Sequence, residues 1–122
     1  MEVGYEIGRR SGCFKLAHEL ALKVYKITAK FPKEESFNLV SQMRRAATSV
    51  GSNLVEGSMR LNSREFRQFV DIARGSAAEV SYQLLLVREL GYLQNDIYPE
   101  LRSSYDRVGQ MLTRLAHSLG RR

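Results

Sequence analysis

The sequence has few of the residues that usually carry catalytic or metal chemistry. Its 122 residues include one cysteine, Cys13, and two histidines, His18 and His117. A single cysteine cannot form an intramolecular disulfide, and one cysteine with two histidines is too few for a usual zinc site. The chain contains no Glu-x-x-His pattern for a carboxylate-bridged metal site and no G-x-x-x-x-G-K-[ST] phosphate loop. We therefore expect a protein that is not an enzyme and that binds no metal or cofactor.

Long apolar runs are also missing. The longest aliphatic run is "LLLV" at residues 84–87, far short of the roughly 20 residues that cross a bilayer. The first residues, "MEVGYEIGRRSG", lack the apolar core of a signal peptide. No alternating apolar and polar run is long enough to predict a strand. These absences predict a soluble, cytoplasmic, strand-free protein without membrane contact.

Apolar residues instead recur at intervals of three and four, which is typical of amphipathic helices. Pro32 should end the first helix, Asn62 can cap the third and Asp96 the fourth, and Gly91 should end the third. The four predicted helices span 13–31, 34–57, 63–91 and 97–120. Because short connections leave successive helices side by side, the sequence predicts an all-α protein, an antiparallel up-down-up-down four-helix bundle over 13–120, after a loose lead-in at 1–12.

Basic residues outnumber acidic ones by 19 to 13, which gives a formal charge of +6 and a pI near 9.8. Such a balance favours polyanionic partners, and arginine offers a planar fork suited to phosphate. Six arginines lie on the second and third predicted helices or at their junction and are the candidate nucleic-acid-binding residues: Arg44, Arg45, Arg60, Arg64, Arg67 and Arg74. The alternative is equally concrete, because Asp71 is spaced to form ordinary surface ion pairs with Arg67 and Arg74.

Two polar residues, Asn53 and Glu56, adjoin the apolar stripe of the second predicted helix. Buried polar groups cost free energy unless they are paired. We therefore expect Asn53 and Glu56 to form a buried hydrogen-bond network that fixes this helix against its neighbours. The six tyrosines also exceed what one small core is expected to hide, so some should lie at interfaces between subunits.

Residues 25–93 resemble a known family. The segments "FPKEE", "QMRRAA", "SNLVEG", "EFRQFVDIARGS" and "ELGYL" occur in the family's order and spacing. The chain thereby resembles the four-helix-bundle proteins encoded in intervening sequences of bacterial 23S ribosomal RNA genes. It is also similar to the accessory variability determinant proteins of diversity-generating retroelements, which assist a reverse transcriptase. Gly51 stands where the family often has proline, and Phe14 where tryptophan often stands.

The resemblance implies a homopentameric ring, a bacterial or phage origin and no established enzymatic activity. Together with the basic charge, the resemblance leads to the hypothesis of a non-enzymatic scaffold that binds RNA or DNA. A reverse transcriptase is a further partner in this hypothesis. The alternative is a protein-interaction module encoded in a ribosomal RNA intervening sequence, without specific nucleic-acid binding.

Overall fold

The computed structural model describes residues 12–120, and within that range the chain is all-α. Its four helices are α1 (Gly12–Thr28), α2 (Ser41–Ser58), α3 (Ser63–Glu89) and α4 (Ile97–Leu119). A 3₁₀ turn at Lys33–Glu35 and a π turn at Ser36–Val40 connect α1 to α2. The expected lead-in falls outside the described residues except for Gly12, which is the first residue of α1.

The connection between α1 and α2 corrects two predicted boundaries. The first helix ends at Thr28 rather than at residue 31, because Pro32 disfavours a helical conformation at Phe31. Phe31 instead turns into the core, where its ring centroid lies 5.4 Å from that of Tyr92. The second helix does not run unbroken from residue 34. The wider π turn brings the consecutive residues Leu39 and Val40 both into the core before α2 begins.

The predicted ends of α3 are confirmed. The Asn62 side-chain oxygen accepts a hydrogen bond of 2.9 Å from the Glu65 backbone N–H, which satisfies a donor that the first turn leaves unpaired. Gly91 has a φ of +83°, a conformation that favours glycine, and follows the end of the helix. Asp96 occupies the predicted N-cap position of α4, but its side chain makes no capping hydrogen bond, and the Ile97 and Tyr98 backbone N–H groups donate to the Gln94 carbonyl instead.

The core lies between the four helices, with α1 packed on α2 and α4, and with α3 packed on α2 and α4. Its largest fully buried side chains include Leu20, Met43, Leu84, Tyr105 and Leu112. Gly57 allows α2 and α3 to approach closely, since a Cβ atom there would lie 2.8 Å from Phe69 Cβ. None of the helices described for residues 12–120 has the length and apolar character needed to span a membrane.

Candidate nucleic-acid interface

An open groove of about 770 Å³ runs between α3 and α4. We call it the arginine groove, because Arg74 from α3 and Arg102 and Arg114 from α4 line it. Its other lining residues are small, polar or aromatic, with one leucine: Ala77, Ala78, Ser81, Tyr82, Leu85, Tyr105, Asp106, Gly109, Gln110 and Thr113. Residues at intervals of three and four share a helix face, so each helix contributes a continuous wall.

Positive charge predominates in the arginine groove, where three arginines face one acid, Asp106. Arg102 Nε donates to Asp106 Oδ1 at 3.4 Å, and Arg102 Nη1 donates to the Tyr98 hydroxyl at 2.8 Å. The hydrogen bond to Tyr98 raises the pKa of Arg102, so this side chain stays charged. Arg114 is exposed and forms no ion pair with any residue in the described part of the chain. Its guanidinium is therefore available to an anion.

Two tyrosines line the arginine groove, one exposed and one buried. Tyr82 is 61% exposed. Tyr105 is 1% exposed, and its buried hydroxyl has no hydrogen-bond partner among the described residues. Burial raises the pKa of Tyr105, so the hydroxyl remains a neutral donor at physiological pH. The groove thus combines guanidinium groups with one exposed aromatic ring and one unsatisfied donor.

Of the six arginines that the sequence nominated, only Arg74 lines this groove. Arg74 Nη1 lies 3.2 Å from Asp71 Oδ1, and Arg67 Nε lies 3.7 Å from Asp71 Oδ2. Both arginines thus form the ordinary ion pairs that the alternative interpretation expected. The Arg67 guanidinium also packs against Gly120 at the C-terminal end of α4, where a cation is favoured by the helix dipole.

Arg44 forms contacts that hold α1 and α2 together. Its Nε donates to Thr28 Oγ1 at 3.0 Å and its Nη2 to the Tyr25 carbonyl at 3.2 Å. The guanidinium also lies 4.5 Å from the centre of the Tyr25 ring. Arg44 therefore adds hydrogen bonds from α2 to the Thr28 hydroxyl and the Tyr25 carbonyl, and it fastens the end of α1 to the start of α2.

The remaining three nominated arginines lie in two other depressions. Arg60 and Arg64 line one at the junction of α2 and α3, where Arg60 pairs with Glu56 at 3.2 Å and stacks on Phe69. Arg45 is exposed beside Ser49, Ser76 and Glu79. The six arginines therefore do not form one surface within the single chain.

Arg102 and Arg114 were missed by the sequence interpretation, although α4 carries a signal for one of them. Arg102, Asp106, Gly109 and Thr113 each follow a core position of α4 by one residue: Leu101, Tyr105, Val108 and Leu112. One residue is about 100° around a helix, so these side chains form a stripe beside the buried face. The sequence interpretation sought arginines on the second and third helices only.

The predicted polar network is found in a different form. Asn53 Nδ2 donates to the Ser49 carbonyl at 2.8 Å and to Ser49 Oγ at 2.9 Å, and Ser76 Oγ donates to Ser49 Oγ at 2.8 Å. The link between α2 and α3 is thus made by two serines that were not predicted. The expected burial of Glu56 is wrong, because its side chain is 58% exposed. Glu56 follows the buried Leu54 by two residues, about 200° around the helix.

Comparison with known proteins agrees with this fold. The family model described as "23S rRNA-intervening sequence protein" matches residues 9–114. The chain is similar to a crystal structure of a protein with unknown function from the S23 ribosomal protein family of Bacteroides thetaiotaomicron, with a TM-score of 0.76 and 22% identity over 86% of this chain and 95% of that one. At that identity, the similarity shows the fold alone. No curated protein matches the chain significantly.

Proposed function

The chain belongs to the 23S rRNA-intervening sequence protein family, and from that premise we propose that it is a non-enzymatic scaffold that binds nucleic acid through the arginine groove. The observation that carries the proposal is the convergence of Arg74, Arg102 and Arg114 on one open groove. Guanidinium groups bind phosphate oxygens through paired N–H donors, and a net charge of +6 attracts a polyanion from a distance.

Binding to phosphates has a measurable signature. Each phosphate that a protein neutralises releases condensed counterions, so affinity falls as salt rises. If the three groove arginines each neutralise one phosphate, the logarithm of the affinity should fall with the logarithm of salt concentration with a slope of about −2 on a single strand. Fluorescence anisotropy with labelled RNA and DNA of mixed sequence, titrated from low to moderate salt, measures this slope.

Charge reversal in the groove tests the site. Arg102→Glu combined with Arg114→Glu should weaken binding at low salt by about 100-fold or more, because two phosphate contacts become repulsive. The matched control is Lys15→Glu with Lys30→Glu, which changes the charge equally at exposed positions outside the groove. Undetectable binding by the unmodified protein, or equal losses in the two double variants, would contradict the proposal.

For the assembly, we propose an up-down-up-down bundle that forms a homopentameric ring. Contacts between helix ends support this topology. Arg44 joins the start of α2 to Thr28 at the end of α1, and Gly57 near the end of α2 faces Phe66 in α3. Arg88 in the last turn of α3 stacks on Tyr98 in the first turn of α4.

Exposed apolar side chains support self-association. Phe37 and Leu61 are fully exposed in the single chain, and Leu22 and Ile72 are about half exposed. Among the tyrosines expected at interfaces, Tyr25 is exposed, whereas Tyr105 is buried and Tyr5 lies outside the described residues. Light scattering should give several times the chain mass of 13.9 kDa, and a monomer at micromolar concentration would exclude the ring. A reverse transcriptase as partner stays a prediction from the resemblance.

A second function, a protein-interaction module without specific nucleic-acid binding, is favoured by a different groove. This apolar groove, of about 570 Å³, lies between α1 and α2, and its apolar lining residues include Phe14, Ala17, Ala21, Val55 and Met59. Recovery of one protein partner after nuclease treatment, with no nucleic-acid binding by the purified chain, would favour this function over the first.

A further inference from the structure

Tyr82 is an exposed aromatic side chain in the lining of the arginine groove. It lies on α3 with 61% of its surface exposed. Tyr98, at the start of α4, is instead covered by Arg88, whose guanidinium lies 4.8 Å from its ring centre. No cation covers Tyr82 in the described part of the chain. The face of the Tyr82 ring is therefore available to another flat group.

We propose that the arginine groove binds a single-stranded polynucleotide, with one base stacked on Tyr82 and neighbouring phosphates held by Arg74, Arg102 and Arg114. This inference rests on the proposed function and specifies its ligand. In a duplex both faces of each internal base are covered by neighbouring base pairs, whereas an unpaired base can offer a face to an aromatic side chain.

The length of the groove fits a short strand. Arg74 and Tyr82 are eight residues apart on α3, about 12 Å along the helix axis, and Arg102 and Arg114 are twelve residues apart on α4, about 18 Å. At roughly 3.4 Å per nucleotide of a stacked strand, 18 Å corresponds to about five nucleotides. The arginines near the two ends can thus contact different phosphates of the strand while Tyr82 contacts a base.

Tyr105 provides an independent indication of a ligand. Its hydroxyl is buried without a partner, which leaves a neutral donor unsatisfied in the lining of the groove. Phosphate oxygens and base carbonyls are acceptors, so a bound strand that reached this hydroxyl would supply the partner that it lacks. Aliphatic ligands would leave the donor unsatisfied.

The experiment compares labelled ten-nucleotide RNA and DNA strands of mixed sequence with the matching duplexes, by anisotropy at one low salt concentration. Tyr82→Ala should weaken binding of the single strands by roughly tenfold or more, because it removes a stacked base, and should leave duplex binding unchanged. Tyr82→Phe keeps the ring and should stay within about twofold of the unmodified protein. The matched control is Leu90→Ala, which removes a half-exposed apolar side chain at the C-terminal end of α3 outside the groove.

The outcomes separate this inference from the proposed function. If Tyr82→Ala binds single strands normally while Arg102→Glu with Arg114→Glu fails, phosphate binding stands and base stacking is excluded. If the unmodified protein binds no nucleic acid, both proposals fall. If Tyr82→Ala instead lowers the native mass in light scattering, Tyr82 belongs to an interface between copies and the inference is overturned. A preference for RNA or for DNA strands, with the same dependence on Tyr82, supports it.

Discussion

The grooves on the two sides of the bundle differ in chemistry, although each lies between two neighbouring helices. The α1–α2 groove is apolar, with Phe14, Ala21 and Met59 in its walls. The α3–α4 groove carries Arg74, Arg102 and Arg114. Arginine is also present between α1 and α2, but there Arg44 is held by Thr28 and Tyr25. Arg44 and Arg114 therefore differ in their partners, since Arg44 is bound to groups at the end of α1, whereas Arg114 has no ion pair with any described residue.

The sharpest test of that distinction compares the alanine variants of Arg44 and Arg114 in stability and in nucleic-acid binding. Arg44→Ala should destabilise the fold by about 1–3 kcal/mol, because it removes two charged hydrogen bonds and a ring contact at the end of α1. It should leave nucleic-acid binding nearly unchanged. Arg114→Ala should do the reverse, since Arg114 is exposed and has no ion pair with any described residue. Urea unfolding and anisotropy measure the two effects.

Arg44→Lys is the matched control for the first loss. Lysine keeps the charge but lacks the planar fork, so it cannot reproduce both hydrogen bonds together with the stacking on Tyr25. Its stability should fall between those of the unmodified protein and Arg44→Ala. Equal stability losses in Arg44→Ala and Arg114→Ala would remove the proposed difference between the two arginines.

These arginines also illustrate which features of the structure could be predicted from the sequence and which could not. The all-α class and the ends of α3 were predictable, because periodicity, the Asn62 cap and Gly91 act within a few residues of one another. The contact that fastens the end of α1 was not, since it joins Thr28 to Arg44, which lies sixteen residues away in the sequence. The arginine groove needs faces of two helices at once, and the exposure of Glu56 depends on helix rotation that spacing to one core residue left ambiguous.

Two glycines allow a second comparison, between a close contact of two helices at Gly57 and an open helix face at Gly75. Gly57→Ala should destabilise the fold by about 1–3 kcal/mol, because the new Cβ would lie 2.8 Å from Phe69 Cβ and 2.9 Å from Phe66 Cδ1. Gly75→Ala should stabilise it by up to about 1 kcal/mol, since nothing lies within 4 Å and alanine is the better helix former. Thermal unfolding of both variants measures the difference. A stabilising Gly57→Ala would show that α2 and α3 do not approach as closely as described.

The smallest expected effect concerns Cys13, the buried titratable group at the start of α1. Burial raises the pKa of Cys13 from 9.0 to about 11. Because the thiol ionises more easily in the unfolded chain, the unfolded state loses its proton first, and the contribution to stability that is intact below pH 9 is lost as pH rises towards 11. At pH 10 the loss should be about 1 kcal/mol. Comparing urea unfolding at pH 8 and pH 10 for the unmodified protein and for Cys13→Ala isolates this contribution, since the variant keeps every other titrating group.

The same burial of Cys13 should make its thiol react slowly with alkylating reagents at pH 8 until the protein is unfolded. Fast alkylation of the folded chain, or identical pH dependence in the two proteins, would contradict the burial of Cys13 at the start of α1.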